Sequence, residues 1–129
     1  MPPRLADAVS IGVPWSQAAP IDSDDVRSGI IRILHSPSPP EVKGSDRIRS
    51  PVEALRTEGY PIELIELRGV PNDAVRAEIE RSDFVIDQLY SDAPMVGFAT
   101  EAAAAGRPAI VGGYAWPHLE AFYPDESLP

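Results

Sequence analysis

Four short apolar runs, separated by segments of helical character, constrain this chain more than any other feature. They fall at residues 30–34, 62–67, 83–87 and 107–111. A strand that is apolar at successive positions has no solvated face, which marks a parallel sheet covered on both sides. The runs Ile30-Ile31-Arg32-Ile33-Leu34 and Phe84-Val85-Ile86-Asp87 are the most apolar, so they are expected as central neighbours. The second run, Ile62-Glu63-Leu64-Ile65-Glu66-Leu67, carries two acids that do not alternate cleanly, which suits an edge. The expected fold class is therefore α/β. It is a Rossmann-like parallel sheet of about four strands, in the order second, first, third, fourth, with helices on both faces.

The intervening segments read as helices with definable ends. The first has two possible starts. Ser45-Asp46 could cap it, which places Pro51 inside at a cost of ~3 kcal/mol or a kink. Ser50-Pro51-Val52-Glu53 offers a cleaner start, with a Ser cap, Pro at the first position and Glu three after the cap. Gly59 ends the helix either way. Asn72 is expected to cap a second helix to about Arg81, with Val75 and Ile79 facing inward. Pro94 opens a third, residues 95–105, whose alanines 102–105 permit close approach to a sheet. Residues 118–122 suggest a further helical turn. Residues 1–29 contain Pro2, Pro3, Pro14, Pro20 and the acidic stretch Asp22-Ser23-Asp24-Asp25, with no sustained period. They read as an extended lead-in or interlobe linker, with a short edge strand at 9–13. Residues 30–129 form the domain proper.

Composition removes several function classes. The formal charge of −9 is spread along the 129 residues, which argues against a nucleic-acid backbone or an anionic membrane as partner. There is no cysteine, so thiol catalysis and disulfides are excluded. His35 and His118 are the only histidines, too scattered for a zinc site, and no metal is expected. No apolar run approaches the ~18 residues of a membrane span, and no signal pattern opens the chain, so the default is a cytoplasmic protein.

Where β-strands order themselves second, first, third, fourth, chain direction reverses between the first and third. The crevice at their carboxyl ends is the expected ligand site. Lys43, the one lysine beside ten arginines, lies in the first loop that opens there. A compact ammonium in that place, before Gly44 and a helix, points to an anionic, nucleotide-like ligand. A solvated surface lysine is the competing reading. In the third helix, the residues Val96-Gly97-Phe98 present free N–H groups, and Gly97 lets a ligand approach the backbone. Glu101, one turn later, could accept from a hydroxyl beside the phosphates, or it could be a solvated helix face. His35 reads as a satisfied polar group at a strand end, and Asp87 and Gln88 as caps of the third loop. Trp15, Tyr114 and Trp116 read as hydrophobic plugs.

The segments Ile31-Arg32-Ile33-Leu34-His35-Ser36-Pro37-Ser38 and Val42-Lys43-Gly44-Ser45-Asp46 resemble the start of the donor-binding half of GT-B-type glycosyltransferases. Ser82 through Tyr90, the Gly97-Phe98-Ala99-Thr100-Glu101-Ala102 element and Gly106-Arg107-Pro108-Ala109 resemble the same half in order and spacing. The resemblance covers roughly residues 30–114. It implies a nucleotide-sugar donor as partner and substrate, with no separate cofactor. By position, Lys43 would hold the diphosphate and Glu101 the ribose hydroxyls. The backbone at Gly97 and Phe98 would meet the distal phosphate or sugar, with Ser38 in the same donor site. It implies transfer of a sugar from a nucleoside diphosphate to an acceptor hydroxyl. An acceptor lobe is missing from this chain, which is expected to be inactive alone. The alternative is a non-catalytic α/β module that binds a nucleotide or a partner.

Overall fold

Alternate side chains of β1 (Ile31–His35) leave the sheet on opposite faces, and both faces are covered. Ile33 packs with Ile48 and Val52 of helix α1 (Ser45–Thr57). Leu34, the next residue, packs on the other face with Val75 and Ile79 of α2 (Asn72–Arg81) and with Phe98 and Ala102 of α3 (Gly97–Ala104). The computed structural model describes residues 29–37, 44–90 and 97–113. The expectations for the lead-in before Gly29, the strand at 9–13, the turn at 118–122, and Trp15, Tyr114 and Trp116 lie outside them.

The remaining strands are β2 (Ile62–Glu66), β3 (Phe84–Ile86) and β4 (Ala109–Ile110). They form one parallel sheet in the order β2-β1-β3-β4, as the apolar pattern requires. Cross-strand register keeps each face consistent. Ile33 stands beside Leu64 and Phe84 on the α1 face, while Leu34 stands beside Ile65 and Val85 on the other. The central pair is tied at its entry as well. Arg32 N–H donates to Asp83 Oδ2 at 2.6 Å, and Asp83 N–H donates back to the Arg32 carbonyl at 2.8 Å. Asp83 thus precedes the strand it was expected to begin.

Two helix starts differ from local rules. Helix α1 begins at Ser45 and carries Pro51 inside it. The longer helix buries Ser45 and Ile48 and brings Arg49 to Glu66, gains that a start at Ser50 would forgo. Pro51 is exposed, so the hydrogen bond it removes lies on the solvent side. Asn72 is not the cap of α2. Pro71 holds that position at φ −59°, without a side-chain bond, and Asn72 is the first helical residue. Of the alanines 102–105 at the end of helix α3 only Ala102 is fully buried and Ala103 is exposed, while Ala99, one turn before, is the second alanine with no exposed surface. No helix among the described residues is long and apolar enough to cross a membrane.

Leu34 has no exposed surface, whereas Leu55, on the outer side of α1, is 39% exposed. Leu34→Ala is expected to cost about 3 kcal/mol in urea unfolding, and Leu55→Ala under about 1 kcal/mol. Equal losses would remove β1 from the centre of the core.

Candidate functional site

From β1 the chain turns through α1 to one side of the sheet, and from β3 through α3 to the other. The chain therefore leaves β1 and β3 toward opposite faces, the arrangement in which open α/β sheets take ligands at their carboxyl edge. Lys43 and Ser38, two of the residues assigned to it from sequence, lie outside the described residues. Gly44, next to Lys43, is fixed by both conformation and packing. Its φ is +70°, and a Cβ there would meet the side chains of Leu89 and Tyr90 at 3.1 Å. A glycine is needed for the backbone at residue 44 to lie against Leu89 and Tyr90.

Beyond Gly44, the first turn of α1 is held from below. His35 is fully buried, with Nδ1 2.8 Å from the Ile86 carbonyl and Nε2 2.8 Å from Ser45 Oγ. A carbonyl only accepts, so Nδ1 carries the proton, and in the neutral ring Nε2 accepts from the Ser45 hydroxyl. This one imidazole joins the ends of β1 and β3 to the start of α1. The satisfied reading of His35 is the one the fold adopts, with partners that sequence did not reveal.

The α3 side departs further from expectation. No atom lies within 4 Å of a Cβ built on Gly97 among the described residues, so packing does not demand glycine there. Phe98 directs its side chain into the core, leaving only its backbone for the crevice. Ala99 N–H donates to Oδ2 of the buried Asp87 at 3.2 Å. That carboxylate takes one of the helix's unpaired donors and sets a negative group against its positive end. Asp87 therefore caps α3 itself, and the phosphate cradle expected at this helix start is shared with an acid. Glu101 is not a solvated face. Its Oε1 accepts from Asn72 Nδ2 at 3.2 Å and lies 3.8 Å from Arg76 Nε, with 14% of the side chain exposed.

The feature sequence reasoning missed lies across the crevice. A pocket of about 350 Å³ opens at the start of α1, lined by Gly44, Ser45, Asp46, Arg47, Arg49, Arg68 and Tyr90. Glu66, the last residue of β2, anchors it. Arg49 donates through Nε and Nη2 to the two Glu66 oxygens, both at 2.8 Å, and through Nη1 to Asp46. Arg68 lies 3.5 Å from the same carboxylate, and the Arg47 guanidinium stands 6.0 Å from the centre of the Tyr90 ring. The Asp46–Arg49 spacing of three is legible on a helix; the arrival of Arg68 beside it needs the fold. Among the described residues no group of three or more His, Asp or Glu side chains could hold a metal ion.

The hydrogen bond from Arg49, helped by its charge and by Arg68, holds the Glu66 carboxyl below its ordinary 4.5, and the same contact raises Arg49. A lowered folded value stabilises the fold above the ordinary carboxylate range and fades as pH falls through the lowered value. Glu66→Gln is therefore expected to lower Tm by roughly 2–4 °C at pH 7. That difference from the parent should shrink as pH falls below about 4. Scanning calorimetry across pH reads it, and a constant difference would mean that the charge of Glu66 is not what holds the two arginines. Comparison with protein-family models, with curated proteins and with solved structures found no match.

Proposed function

We propose that this chain binds a nucleoside-diphosphate sugar in the crevice between β1 and β3, as the donor-binding part of a glycosyltransferase. The single observation that carries the reading is the sheet order β2-β1-β3-β4, which creates a switch point where open α/β sheets take ligands. Two residues of the GT-B resemblance support it by their place in the chain order: Gly44 directly precedes α1, which follows β1, and Gly97 opens α3, which follows β3, with Glu101 one turn further on. That no described atom stands within 4 Å of a Cβ on Gly97 supports close approach of a ligand to the backbone. Lys43 adjoins Gly44 and supplies the mobile positive charge for a diphosphate. In a transfer reaction negative charge develops on the departing diphosphate, and a cation fixed beside it lowers the barrier. Glu101 would accept from ribose hydroxyls by sharing its carboxylate with Asn72.

Asp87 favours a second reading, in which the same crevice binds a nucleotide without transferring a sugar. Its buried carboxylate at the start of α3 opposes build-up of negative charge there. Titration with uridine, guanosine and adenosine diphosphates and their sugar conjugates, read by calorimetry, tests the shared part. Saturable binding is expected, and no binding of any of them would sink both readings. Measured donor turnover by the chain would then select transfer, and binding without turnover the module.

Two substitutions check the roles. Lys43→Ala is expected to weaken diphosphate binding by ~1.5–3 kcal/mol, the worth of a charge-assisted hydrogen bond, with Tm unchanged. Glu101→Gln is expected to narrow the preference for ribonucleotides over their deoxy analogues by roughly 1 kcal/mol. An unchanged dissociation constant would return Lys43 to a solvated surface lysine, and an unchanged ribonucleotide preference would leave Glu101 with only its contacts to Asn72 and Arg76.

A further inference from the structure

The pocket at the start of α1 borders the donor crevice at Gly44, but the donor reading gives no task to its three arginines. It gathers Arg47 and Arg49 from the helix and Arg68 from the loop after β2, in a chain whose net charge is −9. Against these three guanidinium groups stand two carboxylates, Asp46 and Glu66, so the pocket stays positive. The two acids do not serve the three arginines equally. Arg49 is engaged on every edge of its fork, by both Glu66 oxygens and by Asp46. Arg68 has a single 3.5 Å contact with Glu66, and Arg47 stands over the Tyr90 ring. Glu66 thus serves as an internal brace that holds Arg49 rigid and leaves its two neighbours with donors to spare.

We propose that this pocket binds the phosphoryl group of a small phosphorylated ligand, held between Arg47 and Arg68. A volume of about 350 Å³ suits a small molecule. Guanidinium donors arriving from two separate elements suit an acceptor with oxygens on more than one side, and a tetrahedral phosphoryl group offers three. A planar carboxylate offers two in one plane, an arrangement that Glu66 already satisfies with Arg49. Gly44, Ser45 and Asp46 border the same space, at the positive end of the α1 dipole. The inference is independent of the donor reading, because it requires neither a nucleobase nor a ribose.

Calorimetric titration of the 129-residue chain with pyrophosphate, inorganic phosphate and citrate, at about 50 mM salt where screening is weak, tests it. Saturable pyrophosphate binding is expected, weakened about tenfold by Arg47→Gln and by Arg68→Gln, as for loss of one charge-assisted contact. Arg56→Gln serves as control, since Arg56 lies at the far end of α1 and pairs with Glu53. It should change the affinity less than about twofold, and all three variants should keep the parent Tm. Three results would overturn the proposal: no saturation by about 10 mM pyrophosphate, equal weakening by Arg56→Gln, or citrate binding as tightly as pyrophosphate. Pyrophosphate binding that Arg47→Gln and Arg68→Gln weaken but Lys43→Ala and Glu101→Gln leave intact, with no preference for nucleotides over pyrophosphate, would fault only the donor reading.

Discussion

The buried imidazole of His35 is the interaction on which the carboxyl edge of the sheet depends. It takes the last carbonyl of β3 on one nitrogen and the Ser45 hydroxyl on the other, with no exposed surface of its own. An apolar residue there would leave the Ser45 hydroxyl without this partner in the interior, at a cost of about 1–3 kcal/mol. Because one ring touches β1, β3 and α1, the width of the crevice and the direction of the first helix are set together. Gly44 then completes the arrangement by letting the loop pass against Leu89 and Tyr90.

Electrostatics divide that edge into two unequal sides. On the α3 side, Asp87 lies at the helix start, and Glu101 is committed to Asn72 and Arg76. On the α1 side, three arginines surround two acids. The positive end of a helix is commonly read as an invitation to anions, yet a buried carboxylate at that end answers it from within the protein. Attraction for an anion therefore concentrates on the α1 side, beside the loop that carries Lys43.

The sheet was legible because its signal is local and periodic. Continuous apolar runs at β1 and β3 imposed burial on both faces, and the acids of β2 placed it at an edge, so the strand order followed. Val75, Ile79 and Ala102 fell inward for the same reason. The helix starts were less legible, because distant residues decide them. Pro51 argues locally against a helix from Ser45, and the burial of Ile48, the bond to His35 and the approach of Glu66 to Arg49 outweigh it. Asn72 has the composition of a cap, yet its amide reaches Glu101, 29 residues away. The arginine pocket was invisible for a related reason. Arg47 and Arg49 are two apart on a helix, and Arg68 joins them only when β2 packs against α1.

The interleaved order of the sheet also bears on how the chain reaches it. The contacts between Arg32 and Asp83 and between His35 and Ile86 each span 51 residues, and α1, β2 and α2 lie between them. Closing such a loop before its contents are ordered sacrifices chain entropy with little return. Pairing β1 with β2 bridges a shorter stretch of chain and brings the outer strand in first. The most buried pair of strands is then the later to join, and folding speed is governed by closure of the centre rather than by formation of any helix.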